Sequence, residues 1–319
     1  MKSVLPIASV SARQFPREGD CCRFRPNRRP GVRVVARLTA RCVLGCERCL
    51  ASTVGVASGV DLSLAQWKSI LAESPTVGVN KVLLTGGEPL LFDGLVELTA
   101  YVASMGISTD LNSTLWLLTP AFAERLAKAG LTEASVSIAG TEDIHDRLHR
   151  RPGAWSRLLA GIELLREVGL PVDGSMYVTP ENLSAVPSTI EQAAQMGLAS
   201  FTVSRALPVG HGMGPSAPQV SDEALAKLHH NLAGARAGGY GISVRCVGLL
   251  GTPNAADCGQ GRSLIGILAD GSLTSCVLTR DSVIGLPKPL DVGLARAVEA
   301  VRAGFSSISS VFCYGGSPA

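Results

Sequence analysis

The sequence predicts an α/β protein, a parallel sheet wrapped by crossover helices and followed by a small α+β region, and three observations carry that reading. From about residue 32 to 206, short β-branched and apolar runs alternate with longer helical ones. The helical runs have legible ends. After Pro208 the texture shifts to a Pro-, Gly- and Ser-rich stretch, and beyond 257 to short strands punctuated by glycine turns. A chain of 319 residues is long enough for one large domain with an appendage.

In chain order, strands are expected at 32–38, 81–85, 107–111, 134–139, 172–178 and 201–206. Ser63 precedes an amphipathic run to 73. Thr119 and Pro120 open a helix that Gly130 closes, with N-cap, first-turn proline and terminal glycine in the expected order. The stretches 154–168 and 181–196 keep the same rhythm, Ser221 caps a further helix, and 242–246 reads as another strand. Repeated βα units imply parallel pairing, with functional residues at the C-terminal ends of the strands. The expected organisation is a basic extension over 1–31, the βα body over 32–247 and the appendage over 248–319.

Composition excludes several classes. Hydrophobic residues make up 46% and charged residues 17% of the chain, which suits a large core and argues against disorder. No apolar run reaches the length of a membrane span, and the start, with one Lys and an apolar stretch broken by Pro6, makes a poor signal peptide. A cytoplasmic protein is expected. Residues 1–41 carry ten Lys or Arg against Glu18 and Asp20, whereas the remainder is net acidic by five charges. The body has neither a basic stripe nor interleaved aromatics, so no nucleic-acid partner is expected.

Nine cysteines, an odd number outside any secretory context, read as metal ligands before disulfides. Cys42, Cys46 and Cys49 form a C-x3-C-x2-C loop directly after the first strand. Three thiolates on one short loop leave the fourth iron of a [4Fe–4S] cluster open to a small chelating molecule. A structural zinc site normally needs a closed set of four ligands, and no fourth Cys or His follows before His145. Three unrelated buried cysteines are the other alternative. At the end of the second strand, Gly86, Gly87, Glu88 and Pro89 form a GGEP turn. Its glycines allow close backbone approach, and its carboxylate suits an ammonium group.

The two motifs together resemble the radical S-adenosylmethionine (SAM) superfamily over about residues 32–247. The resemblance implies a partial (β/α)6 barrel, a cluster on Cys42, Cys46 and Cys49, and an open iron that takes the amino and carboxylate groups of SAM. One-electron cleavage then gives methionine and a 5′-deoxyadenosyl radical, which abstracts a substrate hydrogen. By the same resemblance Gly86, Gly87, Glu88 and Pro89 serve the SAM amino group. Asn112 and Ser137 serve its ribose or methionine, and Arg150 or Arg151 its carboxylate. The residue before the third cysteine is often aromatic in the family and is Arg48 here.

Cys258, Gly271 and Cys276 follow a C-x12-G-x4-C spacing, with Ala-Asp-Gly at 269–271 as a hairpin signal between them, and Cys313 lies further on. This resembles the shortened auxiliary-cluster domain, or twitch domain, of radical SAM enzymes. It implies a second cluster, a [4Fe–4S], on Cys258, Cys276 and Cys313, with a fourth ligand unassigned. An incidental hairpin with two cysteines is the alternative.

Three substrate readings compete. A cluster carrier has no use for an open iron and a GGEP site. Against a peptide-modifying enzyme, the roughly thirty residues before the first strand are too few for a leader-binding domain. The favoured expectation is a carbohydrate-tailoring enzyme resembling the neomycin-type epimerases, with an aminocyclitol alcohol dehydrogenase as its rival. Cys246, at the end of the 242–246 strand, would give a hydrogen atom to the substrate radical, although a small buried hydrophobe is the plainer reading. The expected partners are that small molecule and an electron donor such as a flavodoxin or ferredoxin.

Overall fold

The computed structural model describes residues 31–49, 61–206, 218–236, 240–249, 263–274 and 286–308. Among the described residues nine strands form one sheet: β1 (Val32–Arg37), β2 (Val79–Thr85), β3 (Ser108–Asn112), β4 (Glu133–Ser137), β5 (Val172–Val178), β6 (Ser200–Arg205), β7 (Ser243–Val247), β8 (Leu264–Ile267) and β9 (Leu273–Thr274). Their order is β7-β6-β5-β4-β3-β2-β1-β8-β9, parallel throughout except for the β8–β9 hairpin. β1 to β6 thus neighbour one another in chain order, which is the parallel partial barrel that the βα rhythm predicts.

Ten helices are described: α1 (Leu64–Leu71), α2 (Ser74–Val77), α3 (Leu95–Ser104), α4 (Pro120–Lys128), α5 (Glu142–His149), α6 (Ala154–Glu167), α7 (Val186–Gln195), α8 (Asp222–Arg236), α9 (Pro289–Val292) and α10 (Leu294–Ile308). Their starts follow local chemistry. Ser63 and Gln66 exchange hydrogen bonds in a capping box before α1, and Thr119 Oγ1 accepts from the Phe122 N–H before α4.

The strands present two different faces. Val34, Ala36, Val82, Leu84, Leu111, Ala134, Val136, Phe201 and Val203 are buried in one core with the apolar stripes of the helices. The alternate residues, among them Arg33, Arg37, Lys81, Thr85, Asn112, Ser137 and Tyr177, line the opposite face.

The C-terminal part differs from an independent appendage. β8 pairs in parallel with β1 and so extends the barrel sheet, while Leu273, Leu294, Ala297, Val298 and Val301 join the same core. The 269–271 turn does close a hairpin, with Gly271 at φ 79° where a side chain would be strained. Cys258, Cys276 and Cys313, and the 1–30 part of the basic extension, lie outside the described residues. Among the described residues no helix is long and apolar enough to cross a membrane.

Candidate active site

The polar face of the sheet borders a half-open cavity of about 450 Å³. It reaches from Arg33 and Lys81, low on β1 and β2, to Cys42, Cys46 and Cys49 at the strands' C-terminal ends. Gly86, Gly87, Asn112 and Ser137 also line it, so the structure brings together the cysteine loop, both turn glycines and the two polar strand-end residues read from the sequence.

The cysteine loop is held in place from several sides. Asp61 accepts hydrogen bonds from Thr39 Oγ1 at 2.6 Å and from the Ala40 N–H at 3.3 Å, ahead of the first cysteine. Gly45 and Glu47 donate through their N–H groups to the His149 and Leu148 carbonyls at the end of α5. Arg48 forms an ion pair with Glu181, beyond β5. The two turn glycines answer the loop's backbone. A Cβ at Gly86 would lie 2.5 Å from the Thr39 carbonyl oxygen, and one at Gly87 would lie 2.2 Å from that of Arg41. The Gly87 and Glu88 N–H groups donate to those same two oxygens at 2.7 and 2.8 Å. The close approach that requires glycine is therefore to the cysteine loop itself.

The three thiols are not paired in disulfides. Burial pushes Cys46 up to about 12, with the neighbouring Cys49 and Cys42 thiolates adding to the effect, and burial likewise raises Cys42. Three clustered thiolates without a countercharge are thus unfavourable, and a cationic iron–sulfur cluster reverses that balance. Three thiolates carried on one short loop are a donor set that can hold a [4Fe–4S] cluster through three of its irons.

Four assigned residues have surroundings that the sequence reading did not anticipate. Glu88 is 0% exposed, and its carboxyl oxygens are taken by protein donors. Ser113 Oγ (2.6 Å) and the Leu90 N–H (3.1 Å) reach Oε1, while the Thr114 N–H (2.9 Å) and hydroxyl reach Oε2. It ties the β2 turn to the β3 turn, and the carboxylate read as an ammonium partner is engaged by its own chain. Pro89 is buried at the start of a 3-10 turn behind it. Arg150 occupies a left-handed position at the end of α5, φ 50°, and its 61%-exposed side chain pairs with Glu47 at 3.4 Å, away from the cavity lining. Cys246, read as a hydrogen donor, faces the apolar core. It pairs in register with Val203 and is 3% exposed within the apolar core, because one step along a strand moves a side chain to the other face. The inward neighbours on β7 are Arg245 and Val247.

Other cavity residues were given no role in the sequence reading. His145 and His149, one helical turn apart on α5, are buried with ring centroids 4.0 Å apart, and both line the cavity. His145 Nδ1 accepts from the Ala139 N–H, and His149 Nδ1 donates to the His145 carbonyl at 2.8 Å. Burial holds His145 down to about 2 and lowers His149, so both rings are neutral. Their i, i+4 spacing was the available signal. Asn182, 1% exposed, donates to the Ala139 and Tyr177 carbonyls and accepts from the Thr179 N–H, joining the ends of β4 and β5. Lower in the barrel, Lys81 lies 2.5 Å from Asp110 and 3.0 Å from Glu133, and burial raises Asp110 to about 7.

A model of the radical SAM superfamily matches residues 37–193, which span the cysteine loop, the GGEP turn and the wall of the cavity. This stretch is a radical SAM domain. An AdoMet-dependent heme synthase of Methanosarcina barkeri is 36% identical over 177 residues, 55% of this chain and 50% of that protein. A PqqA peptide cyclase of Granulibacter bethesdensis is 29% identical over 185 residues, 58% of this chain and 50% of that one. The chain thus spans about half the length of these relatives. In architecture the radical SAM domain and its continuation resemble Streptococcus suis SuiB bound to S-adenosylmethionine, with a TM-score of 0.70, 17% identity and coverage of 88% of this chain and 68% of that one. SuiB has also been solved with its precursor peptide SuiA.

Proposed function

We propose that this chain is a radical SAM enzyme that modifies a peptide. The observation that carries the first half is the loop of Cys42, Cys46 and Cys49, which lines a half-open cavity inside a radical SAM domain. These cysteines would hold a [4Fe–4S] cluster, which with SAM supplies a 5′-deoxyadenosyl radical for hydrogen abstraction once an electron arrives from a donor such as a flavodoxin or ferredoxin. Asn112, Ser137 and the neutral histidines form the wall against which SAM would be oriented. Trp155 packs edge-on against His145 and supports this wall.

The peptide half rests on the relatives: a peptide cyclase in sequence and a precursor-peptide complex in architecture. The heme-synthase and peptide-cyclase similarities cover comparable stretches of this chain, and the peptide reading is preferred because the precursor-peptide complex agrees with the second. The aminoglycoside-epimerase reading loses its support at Cys246, whose position among the helices leaves no thiol from β7 facing the cavity. A second cluster on Cys258, Cys276 and Cys313 remains part of the proposal, on the strength of their spacing around the β8–β9 hairpin.

Co-expression with any short peptides that prove to be encoded beside its gene, read by mass spectrometry, tests the peptide half. A changed mass or isotope content in one of them, dependent on Cys42, is expected. Turnover of a small carbohydrate with every peptide untouched would contradict it.

A further inference from the structure

Between Asp146 and Glu163 the chain carries Arg147, Arg150, Arg151 and Arg157 and no acidic residue. Two of these arginines meet at a single side chain. The guanidinium carbon of Arg151 lies 4.7 Å from the ring centroid of Trp116, and that of Arg157 lies 5.7 Å from it. Trp116 follows β3 and itself lines the cavity. Arg150 has a partner in Glu47, but no ion pair of Arg151 or Arg157 is found among the described residues.

The arrangement is built into the fold. The turn that carries Arg151 is clamped by Asp146, whose two carboxyl oxygens accept from the Gly153 N–H at 2.6 Å and the Trp155 N–H at 2.7 Å. With its oxygens so engaged, Asp146 is bound to the turn's backbone rather than to the arginines. Arg157 is fixed by α6. The fold therefore brings two like charges to one indole, each attracted to the ring by cation–π interaction. An arriving carboxylate would add charge-assisted hydrogen bonds and relieve their mutual repulsion.

We propose that Trp116, Arg151 and Arg157 form a receiving site for an acidic side chain of the substrate at the edge of the cavity. The inference rests on the peptide reading above and deepens it: the peptide presents a Glu or Asp to this edge while another of its residues enters the cavity.

The test uses the full chain with its cluster reconstituted and SAM bound, and two labelled, end-blocked probes, acetyl-(Gly-Glu)4-amide and acetyl-(Gly-Gln)4-amide, followed by fluorescence polarisation. Charge-assisted contacts predict that the Glu probe binds about tenfold more tightly than the Gln probe. The preference should fall about fivefold or more in the Arg151→Gln/Arg157→Gln variant and persist in an Arg125→Gln/Lys128→Gln control on α4. SAM affinity, by equilibrium dialysis, should stay within about twofold of the parent. Equal and tight binding of both probes would overturn the site while leaving the peptide reading standing. Loss of the preference in the α4 control alone would also overturn it, as would loss of SAM affinity in the double variant, which would assign the arginines to the carboxylate of SAM.

Discussion

Glu88 is fully buried with donors from two turns closing on its oxygens. Glu88→Gln sets an amide N–H against those donors. It should destabilise the protein by about 2–4 kcal/mol, the cost of unsatisfied buried polar groups, read as a fall in denaturation midpoint. The GGEP turn was legible because its glycines stand side by side in sequence, but its closest partners, Thr39, Arg41, Ser113 and Thr114, come from other segments, and so the job of Glu88 was not. Cys246 was misread for a related reason. The end of β7 was visible in the sequence, but a one-residue difference in phase, which decides the face, was not. Cys246→Ala should leave SAM cleavage intact and cost about 1–3 kcal/mol of stability through lost packing. Loss of product at unchanged stability, with 5′-deoxyadenosine formation intact, would restore it as a hydrogen donor. His145 carries a pH signature. The unfolded ring takes up a proton below its ordinary 6.5, whereas the folded ring, held neutral by burial, does not until about 2. Stability is therefore fully present above pH 6.5 and is lost as pH falls through that window. His145→Phe should show a shallower loss of urea midpoint between about pH 6.5 and 5 than the parent. An equally steep loss would remove His145 as its source.

Among the elements, the cysteine loop is the one whose placement decides the chemistry. It is short, and its own residues form neither helix nor strand. Its position comes from neighbours: the 39–41 contacts with the GGEP turn, the end of α5, and the Arg48–Glu181 pair. Glu181→Gln should leave the cluster able to assemble but speed its loss to a chelator roughly tenfold, the equivalent of about 1.4 kcal/mol of loop anchoring. Iron release at the parent rate would mean that the backbone contacts suffice. The strands and capped helices around this loop were readable because their signals are local. Ser63 and Thr119 sit next to what they cap, and strand alternation repeats within five or six residues. α5 was missed because its polar outer face hides the buried His145, Leu148 and His149 in a charged stretch.

For the whole molecule, the pairing of β8 with β1 is the feature least visible in the sequence. It joins strands more than two hundred residues apart, and parallel pairing leaves no turn to announce it. The region after 248 therefore looked like a separate appendage, although its described hairpin and helices complete the sheet and core of the barrel. Ending the chain at residue 249 should expose the β1 edge together with the apolar surface covered by Leu273, Leu294 and Val298. The shortened protein is expected in the insoluble fraction, and a soluble, monomeric product would show that the barrel stands without β8. The central claim is that Cys42, Cys46 and Cys49 hold a SAM-cleaving cluster over this cavity. It is tested most directly by anaerobic reconstitution with iron and sulfide, followed by dithionite and SAM, with 5′-deoxyadenosine measured by chromatography. The account predicts its release by the parent protein and a fall of about a hundredfold or more in each of Cys42→Ala, Cys46→Ala and Cys49→Ala, because removing one thiolate breaks the three-ligand set. Release at the parent rate by any of the three variants would contradict it.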